Sequence, residues 1–144
     1  MTERLGDAHV QQFLSSKTVV ALATLQADGS PLAAAMWFVH DANALTMISE
    51  VKTQKVRNLR RDPRVSVVGE GGTGGDLQGV TIQGRAGFLD DDSAERRSLV
   101  EHFLAKYDPH LERRWRGRAM PSDRVMFRII PTRVTSWGLA ESRK

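Results

Sequence analysis

Between Thr18 and Ile48 the chain carries three apolar runs separated by two tight-turn signals, and this alternation limits the fold more than any other feature. Thr18 to Leu25 (TVVALATL) is β-branched and apolar nearly throughout, which predicts a strand buried on both faces. Ala27-Asp28-Gly29 follows, and an Asp-Gly pair supplies the positive φ that a hairpin turn needs. Pro31 opens the second run (PLAAAMWFVH), where its missing N–H does least harm to a ladder. Asp41 to Asn43 makes the next turn, and Ala44 to Ile48 returns as a strand. Turns this short join antiparallel neighbours, because parallel strands need a long crossover.

The remainder continues in the same vein. Arg64 to Gly69 (RVSVVG) alternates as a strand should, and Val80 to Leu89 (VTIQGRAGFL) reads as another. Arg124 to Ile130, the interruption at Pro131 and Arg133 to Trp137 predict one long bent strand with a bulge near the proline. Helices are expected at three points. Asp7 starts a short amphipathic one with Val10, Phe13 and Leu14 on one face. A second is stopped by Pro63, and a third runs from about Ala94 to Tyr107 with Leu99, Val100, Phe103 and Tyr107 aligned. With about six strands and no βαβ periodicity, the expected class is mainly β (α+β), a small and mostly antiparallel barrel with peripheral helices. Side chains fill the interior of such a barrel, so a ligand must bind outside it or between two copies.

Several tempting motifs lose their meaning in this context. Gly69-Glu70-Gly71-Gly72-Thr73-Gly74 matches the dinucleotide pattern G-x-G-x-x-G, but a strand follows it where that fold needs a helix, so a flexible hairpin loop is expected. Asp90-Asp91-Asp92-Ser93 lacks the spacing of a calcium loop and stands where a helix N-terminus wants a cap and acids. His102 and His110 are not a helical ligand pair, and surface positions are expected for both; no metal site is read. At 144 residues a single domain over 1–144 is expected, and the lack of cysteine removes disulfides and thiolate chemistry. The polar start and the shortness of every apolar run predict a cytoplasmic protein with no membrane role. A net charge of +4 suits an anionic small molecule, and the scattered tryptophans do not make a nucleic-acid face.

Two stretches carry the candidate site. Six of the thirteen residues from Lys52 to Arg64 are basic, with only Asp62 opposing them. A helix starting at about Val51 to Thr53 places Lys52 and Lys55 on one stripe near its positive N-terminus, against the macrodipole. Either this is a solvated basic face, or a bound anion reconciles the charges, with Ser49 and Thr53 beside it. The second stretch is Ala33-Ala34-Ala35 before Met36, Trp37 and Phe38. Small side chains there leave room for a flat ligand or for close packing by another element. Pro109 to Ala119 is strongly basic and receives no role.

TLQADGSPLAAAMWFV, LTMISEVKTQKVRNLRRDPRVSVV, VTIQGRAGF and the closing RVMFRIIPTRVTSWG together resemble the flavin-binding split-barrel family related to pyridoxamine 5′-phosphate oxidase. The run from Lys55 to Val65 is most similar to its actinobacterial branch that uses the deazaflavin F420. The resemblance implies a homodimer with two cofactor sites at the subunit interface. It implies that Lys55 binds the cofactor phosphate, that Ala35, Met36 and Trp37 line the ring, and that Ile48 and Ser49 lie beside it. Asn58 belongs to the motif, as a binding or a structural residue, and Trp137 is implied near the partner's site. Many relatives have an arginine where this chain has Thr53; its hydroxyl can donate to a phosphate, and Lys52 is the candidate to restore the charge. The implied activity is hydride transfer from reduced F420 to an electron-poor small molecule, with the cofactor doing the chemistry and no catalytic residue nominated. The alternatives are an FMN-dependent pyridoxamine 5′-phosphate oxidase-like enzyme and a non-catalytic carrier of flavin, F420 or haem.

Overall fold

Seven strands make one curled sheet in the computed structural model, which describes residues 2–72 and 75–139. In chain order the elements are α1 (Ala8–Ser15), β1 (Val20–Leu25), β2 (Pro31–Met36), β3 (Val39–His40), β4 (Leu45–Glu50), α2 (Gln54–Arg61), β5 (Arg64–Gly71), β6 (Gln78–Phe88), α3 (Ala94–Tyr107), α4 (His110–Trp115) and β7 (Arg124–Trp137). The spatial order is β2-β1-β5-β6-β7-β4-β3, with every neighbouring pair antiparallel. The result is a half-barrel of the mainly β class expected. The strand beyond the expected six arises because the run from Pro31 to His40 is broken at Trp37-Phe38.

That break closes the barrel. β2 and β3 lie at opposite ends of the strand order, yet only Trp37 and Phe38 separate them in the chain. Three virtual bonds from Met36 to Val39 span at most ~11 Å. The sheet must therefore curl until its two edges nearly meet.

Local sequence explains the turns. Gly29 holds φ +87°, and Asp28 Oδ1 accepts from the Ser30 N–H at 2.9 Å, completing the β1–β2 hairpin. On β7, Gln83 pairs with Arg133 and Gly84 with Pro131, so Thr132 is the extra residue of the expected bulge. A Cβ on Gly84 would strike the Ile130 carbonyl, so only glycine allows the two strands to approach there. Ser93 Oγ accepts from the Arg96 N–H at 3.1 Å, capping α3 as its sequence requires. Asp7 holds the N-cap position of α1, but its carboxylate accepts from the Arg4 N–H instead of capping the helix. Of the glycine-rich loop, Thr73 and Gly74 lie outside the described residues; β6 follows it as a strand.

Two cores result. Inside the curl, α1 contributes Val10, Phe13 and Leu14 to a cluster with Leu22, Phe38, Met47, Ile82, Phe127 and Ile129. On the outer face of β4 and β7, α3 and α4 add Leu99, Phe103, Leu104, Tyr107, Leu111 and Trp115 against Met126. This second layer corrects one expectation. β1 is not buried on both faces: Val20, Leu22 and Thr24 are buried, whereas Ala21, Ala23 and Leu25 are only half-buried, because they belong to neither apolar core. Two-sided burial belongs instead to β4 and β7, where adjacent Met126 and Phe127 are both fully buried. No helix among the described residues is long and apolar enough to cross a membrane.

Glu3 ties the N-terminal segment to β7. Its carboxylate accepts from the Ser136 N–H at 2.8 Å, from the Ser136 hydroxyl and from His9 Nε2 at 2.7 Å. Burial alone would raise its pKa, but the hydrogen bonds from Ser136 and His9 outweigh that and hold it below the ordinary value. Its stabilisation is therefore present above the ordinary glutamate range and is lost as pH falls through the lowered folded value. Glu3→Gln should melt below the wild type at neutral pH, with the gap closing as the buffer is acidified; thermal melts across that range test it.

Candidate functional site

β4 ends at Glu50 and the chain turns at once into α2, while β2 ends at Met36 beside it. The two ends and the α3–α4 layer enclose a cleft of about 380 Å³. Seven of the ten expected site residues line it: Ala35, Met36, Trp37, Ile48, Ser49, Thr53 and Lys55. Its size falls within the range of small-molecule sites.

One end of the cleft is electropositive and rich in donors. The first backbone bond of α2 runs from the Arg57 N–H to Thr53 O at 3.2 Å. The N–H groups of Gln54, Lys55 and Val56 precede it and have no partner among the described residues. No side chain caps the helix and no acid lies in its first turn. The Lys55 ammonium makes no ion pair among the described residues. Ser49 is buried, with Oγ 3.4 Å from Thr53 Oγ1. Free N–H groups, a positive helix end and a lysine without an ion pair among the described residues together have the chemistry that anions favour.

Thr53 lines the cleft and also fastens the turn before α2. Its hydroxyl donates to Glu50 O at 2.9 Å, and its oxygen lies 3.4 Å from Ser49 Oγ. Lys52 lies in that turn, exposed and outside both α2 and the cleft, which removes the shared helical stripe read from its spacing. Asn58 is fully buried; its Nδ2 donates to Thr24 Oγ1 at 3.0 Å and its Oδ1 accepts from Gln54 Nε2 at 2.8 Å. With both ends engaged, it fastens α2 to β1 and does not reach the cleft. Trp137 pairs with Gly79, far along β7 from the Arg124–Glu50 end, and is likewise absent from the lining.

The other end of the cleft is a flat apolar wall fixed by α3. Trp37 stacks on Tyr107 with ring centroids 4.4 Å apart and planes 9° from parallel. Tyr107 Oη accepts from the Phe38 N–H at 2.8 Å and shares its proton between Thr18 O at 2.8 Å and Phe38 O at 2.9 Å. Lys106 Nζ donates to Phe38 O at 2.9 Å and lies 3.7 Å from the Phe38 ring centroid. Burial lowers the Lys106 pKa to about 8 and raises that of Tyr107 to about 12, the Phe38 N–H opposing the latter in part.

Phe103, Leu111, Arg114 and Trp115 also line the cleft, with Glu50 and Arg124 at its rim. Arg124 is engaged by Glu50 at 3.4 Å and Asp123 at 2.6 Å. These residues escaped the sequence reading. Leu111 and Trp115 are four apart on α4 and mark its buried face, a signal visible in the basic segment. That this face closes a site 60 and more residues from Ser49 was not visible locally.

The family model for pyridoxamine 5′-phosphate oxidase matches residues 7–138. Among curated proteins none matches the chain. Among solved structures, the conserved hypothetical protein Rv2991 from Mycobacterium tuberculosis is 29% identical with a TM-score of 0.77, covering 96% of this chain and 90% of that one. HutZ, a haem storage protein from Vibrio cholerae, is 18% identical with a TM-score of 0.76, covering 95% and 96%. An F420 reductase is 24% identical with a TM-score of 0.62, covering 82% and 89%. The fold is thus shared by proteins of mixed function.

Tyr107 is the sole tyrosine, which makes its environment directly readable. Its phenol should stay protonated above the ordinary value of about 10 while the protein is folded. Because the folded pKa is the higher one, stability falls as pH rises from the unfolded value towards the folded one. Ultraviolet titration beside alkaline melts should show phenolate appearing together with unfolding. Tyr107→Phe should remove that alkaline loss and cost about 1–3 kcal/mol at neutral pH, since it leaves the Phe38 N–H unpaired.

Proposed function

This chain belongs to the pyridoxamine 5′-phosphate oxidase family, and from that premise we propose that it binds the deazaflavin F420 and transfers hydride from its reduced form to an electron-poor small molecule. The observation that carries the reading is the pairing, in one cleft, of an open helix start bearing Lys55 with the flat wall at Ala35, Met36 and Trp37. Lys55, the first N–H groups of α2 and Ser49 would hold the phosphate. β2 is an edge strand, so half its backbone polar groups point away from β1, and those of Ala35 to Trp37 are suited to the polar edge of a ring system. When bound, the deazaflavin supplies the hydride chemistry itself. Phe103, Leu111 and Trp115 exclude water from that wall, and Trp37, fixed by Tyr107, keeps it flat.

The cofactor's anionic tail suits a chain of net charge +4, and the similarity to an F420 reductase agrees with it. No histidine lines the cleft, which disfavours an axially ligated haem there. The uncovered face of β1 and β2, with Ala21, Ala23, Ala33 and Ala35, continues into the cleft through Ala35 and suits packing of a second copy. In such a homodimer we put each cofactor site at the interface, with Trp137 assigned to the partner's site on the family resemblance alone.

Titration of the purified protein with F420 and with FMN, with sedimentation to size the complex, tests the reading. Tight, salt-sensitive F420 binding by a dimer is expected; a strong preference for FMN would move the protein to the flavin enzymes, and binding of neither would overturn the proposal. Lys55→Ala should weaken F420 by about 1.5–3 kcal/mol with the ligand-free melting temperature unchanged. Asn58→Ala should show the reverse signature, a lower melting temperature from the orphaned Thr24 hydroxyl.

A further inference from the structure

A shallow, open depression of about 410 Å³ adjoins the cleft and shares Trp37 and the exposed Arg114 with it. Its remaining walls are His110 and Arg113. On α4 these three residues fall at i, i+3 and i+4, so one helical face presents His110, Arg113 and Arg114 together, while Leu111 and Trp115 anchor the opposite side in the core. Arg114 Cζ lies 6.0 Å from the Trp37 ring centroid, and Trp37 is itself held by the Tyr107 stack.

The charges here are unmatched for a structural reason. Asp108 and Glu112, the acids of this segment, both face Arg118, at 2.8 Å and 3.7 Å. Arg113 and Arg114 have no carboxylate partner among the described residues. Arg113 Nη2 donates to His110 Nδ1 at 2.9 Å, which leaves Nε2 as the donor of that ring. Two guanidinium groups and an imidazole N–H thus stand around the edge of a fixed indole, with no carboxylate partner among the described residues.

We propose that this α4 face is an oxyanion subsite that takes the carboxylate of a flat, unsaturated acid whose body lies against Trp37. A planar guanidinium pairs with a carboxylate through two parallel N–H···O bonds and accepts an aromatic body beside it, a combination that lysine does not provide. The subsite stands on its own geometry. Assigning it to the reacting acid, so that the hydride acceptor is a conjugated carboxylate, rests on the F420 reading. The same oxyanion could otherwise come from the distal end of the cofactor.

Calorimetric titration of the cofactor-free protein with naphthoate and with its neutral counterpart naphthamide tests the subsite without the cofactor. Naphthoate should bind about tenfold tighter than naphthamide, the effect of a charge-assisted pair. The double variant Arg113→Gln with Arg114→Gln should abolish that preference, Arg113→Lys with Arg114→Lys should restore part of it, and Lys55→Gln should leave it intact. Melting curves confirm that the variants, altered only on this helix face, are folded. Equal binding of the two probes, a preference that survives the double glutamine variant, or one lost in Lys55→Gln would overturn the proposal. Repeating the titration with saturating F420 then separates the sources: displaced naphthoate identifies the cofactor's own tail, and retained naphthoate a separate acid. Failure of F420 to bind would sink the cofactor reading while the naphthoate result still stood.

Discussion

The two-residue crossing at Trp37-Phe38 is the constraint from which the rest of the molecule follows. It joins the outermost strands of a seven-stranded sheet, so the backbone there leaves both ladders and its polar groups need partners elsewhere. Phe38 is fully buried, so water cannot supply them. Tyr107 and Lys106, neighbours on α3, do so: the phenol takes the N–H and the ammonium the carbonyl. An unpaired buried group of this kind costs about 1–3 kcal/mol, a large share of the net stability of a domain this size. The closure of the barrel and the docking of α3 therefore rest on the same hydrogen bonds.

The same clamp shapes the site. Tyr107 engages Phe38 through its hydroxyl and Trp37 through its ring, so the residue that seals the barrel also sets the wall of the cleft. α3 and α4 bring Phe103, Leu111 and Trp115 to that wall and cover β4 and β7 with the same apolar face. Rigid aromatic walls present a large apolar area with little ordering left to lose when a ligand binds.

Charge is distributed with similar economy. Arg60 makes a bidentate pair with Asp90 at 2.9–3.0 Å, Arg128 pairs with Asp41, and Arg124 with Glu50 and Asp123. These pairs join elements: Arg60 on α2 reaches the end of β6 and packs 3.6 Å from the Phe88 ring centroid. At the clefts, Lys55 and the α4 arginines have no carboxylate partner among the described residues: α2 has no acid in its first turn, and Glu112 of α4 faces Arg118. Solvent-exposed pairs contribute little to stability, so withholding a partner at these positions costs the fold little while leaving charge available for an anion.

How much of this was legible in the chain depends on the range of the interaction. Short-range chemistry was legible: the Asp28-Gly29 turn, the Ser93 cap, the stop at Pro63, the bulge near Pro131 and the amphipathic faces of α1 and α3 all follow from residues within a few positions of one another. The gathering of Ala35, Met36, Trp37, Ile48, Ser49, Thr53 and Lys55 into one neighbourhood was implied by the family resemblance and not by local pattern, since β2 and β4 stand near opposite ends of the strand order and meet only where the sheet curls round. Hydrogen-bond allegiance was not legible, because it depends on fractions of an ångström: Thr53 donates to Glu50, Asn58 turns to Thr24, and Lys52 falls just outside the helix its spacing implied. Nor was the place of α4, whose packing on the sheet rests on contacts distant in sequence. By itself the sequence determined the strands, the turns and the charge of the site, because propensity and spacing act locally. Only the tertiary structure decided where the barrel closes and which arginines line the clefts, because those choices are settled by packing between elements that no local pattern relates.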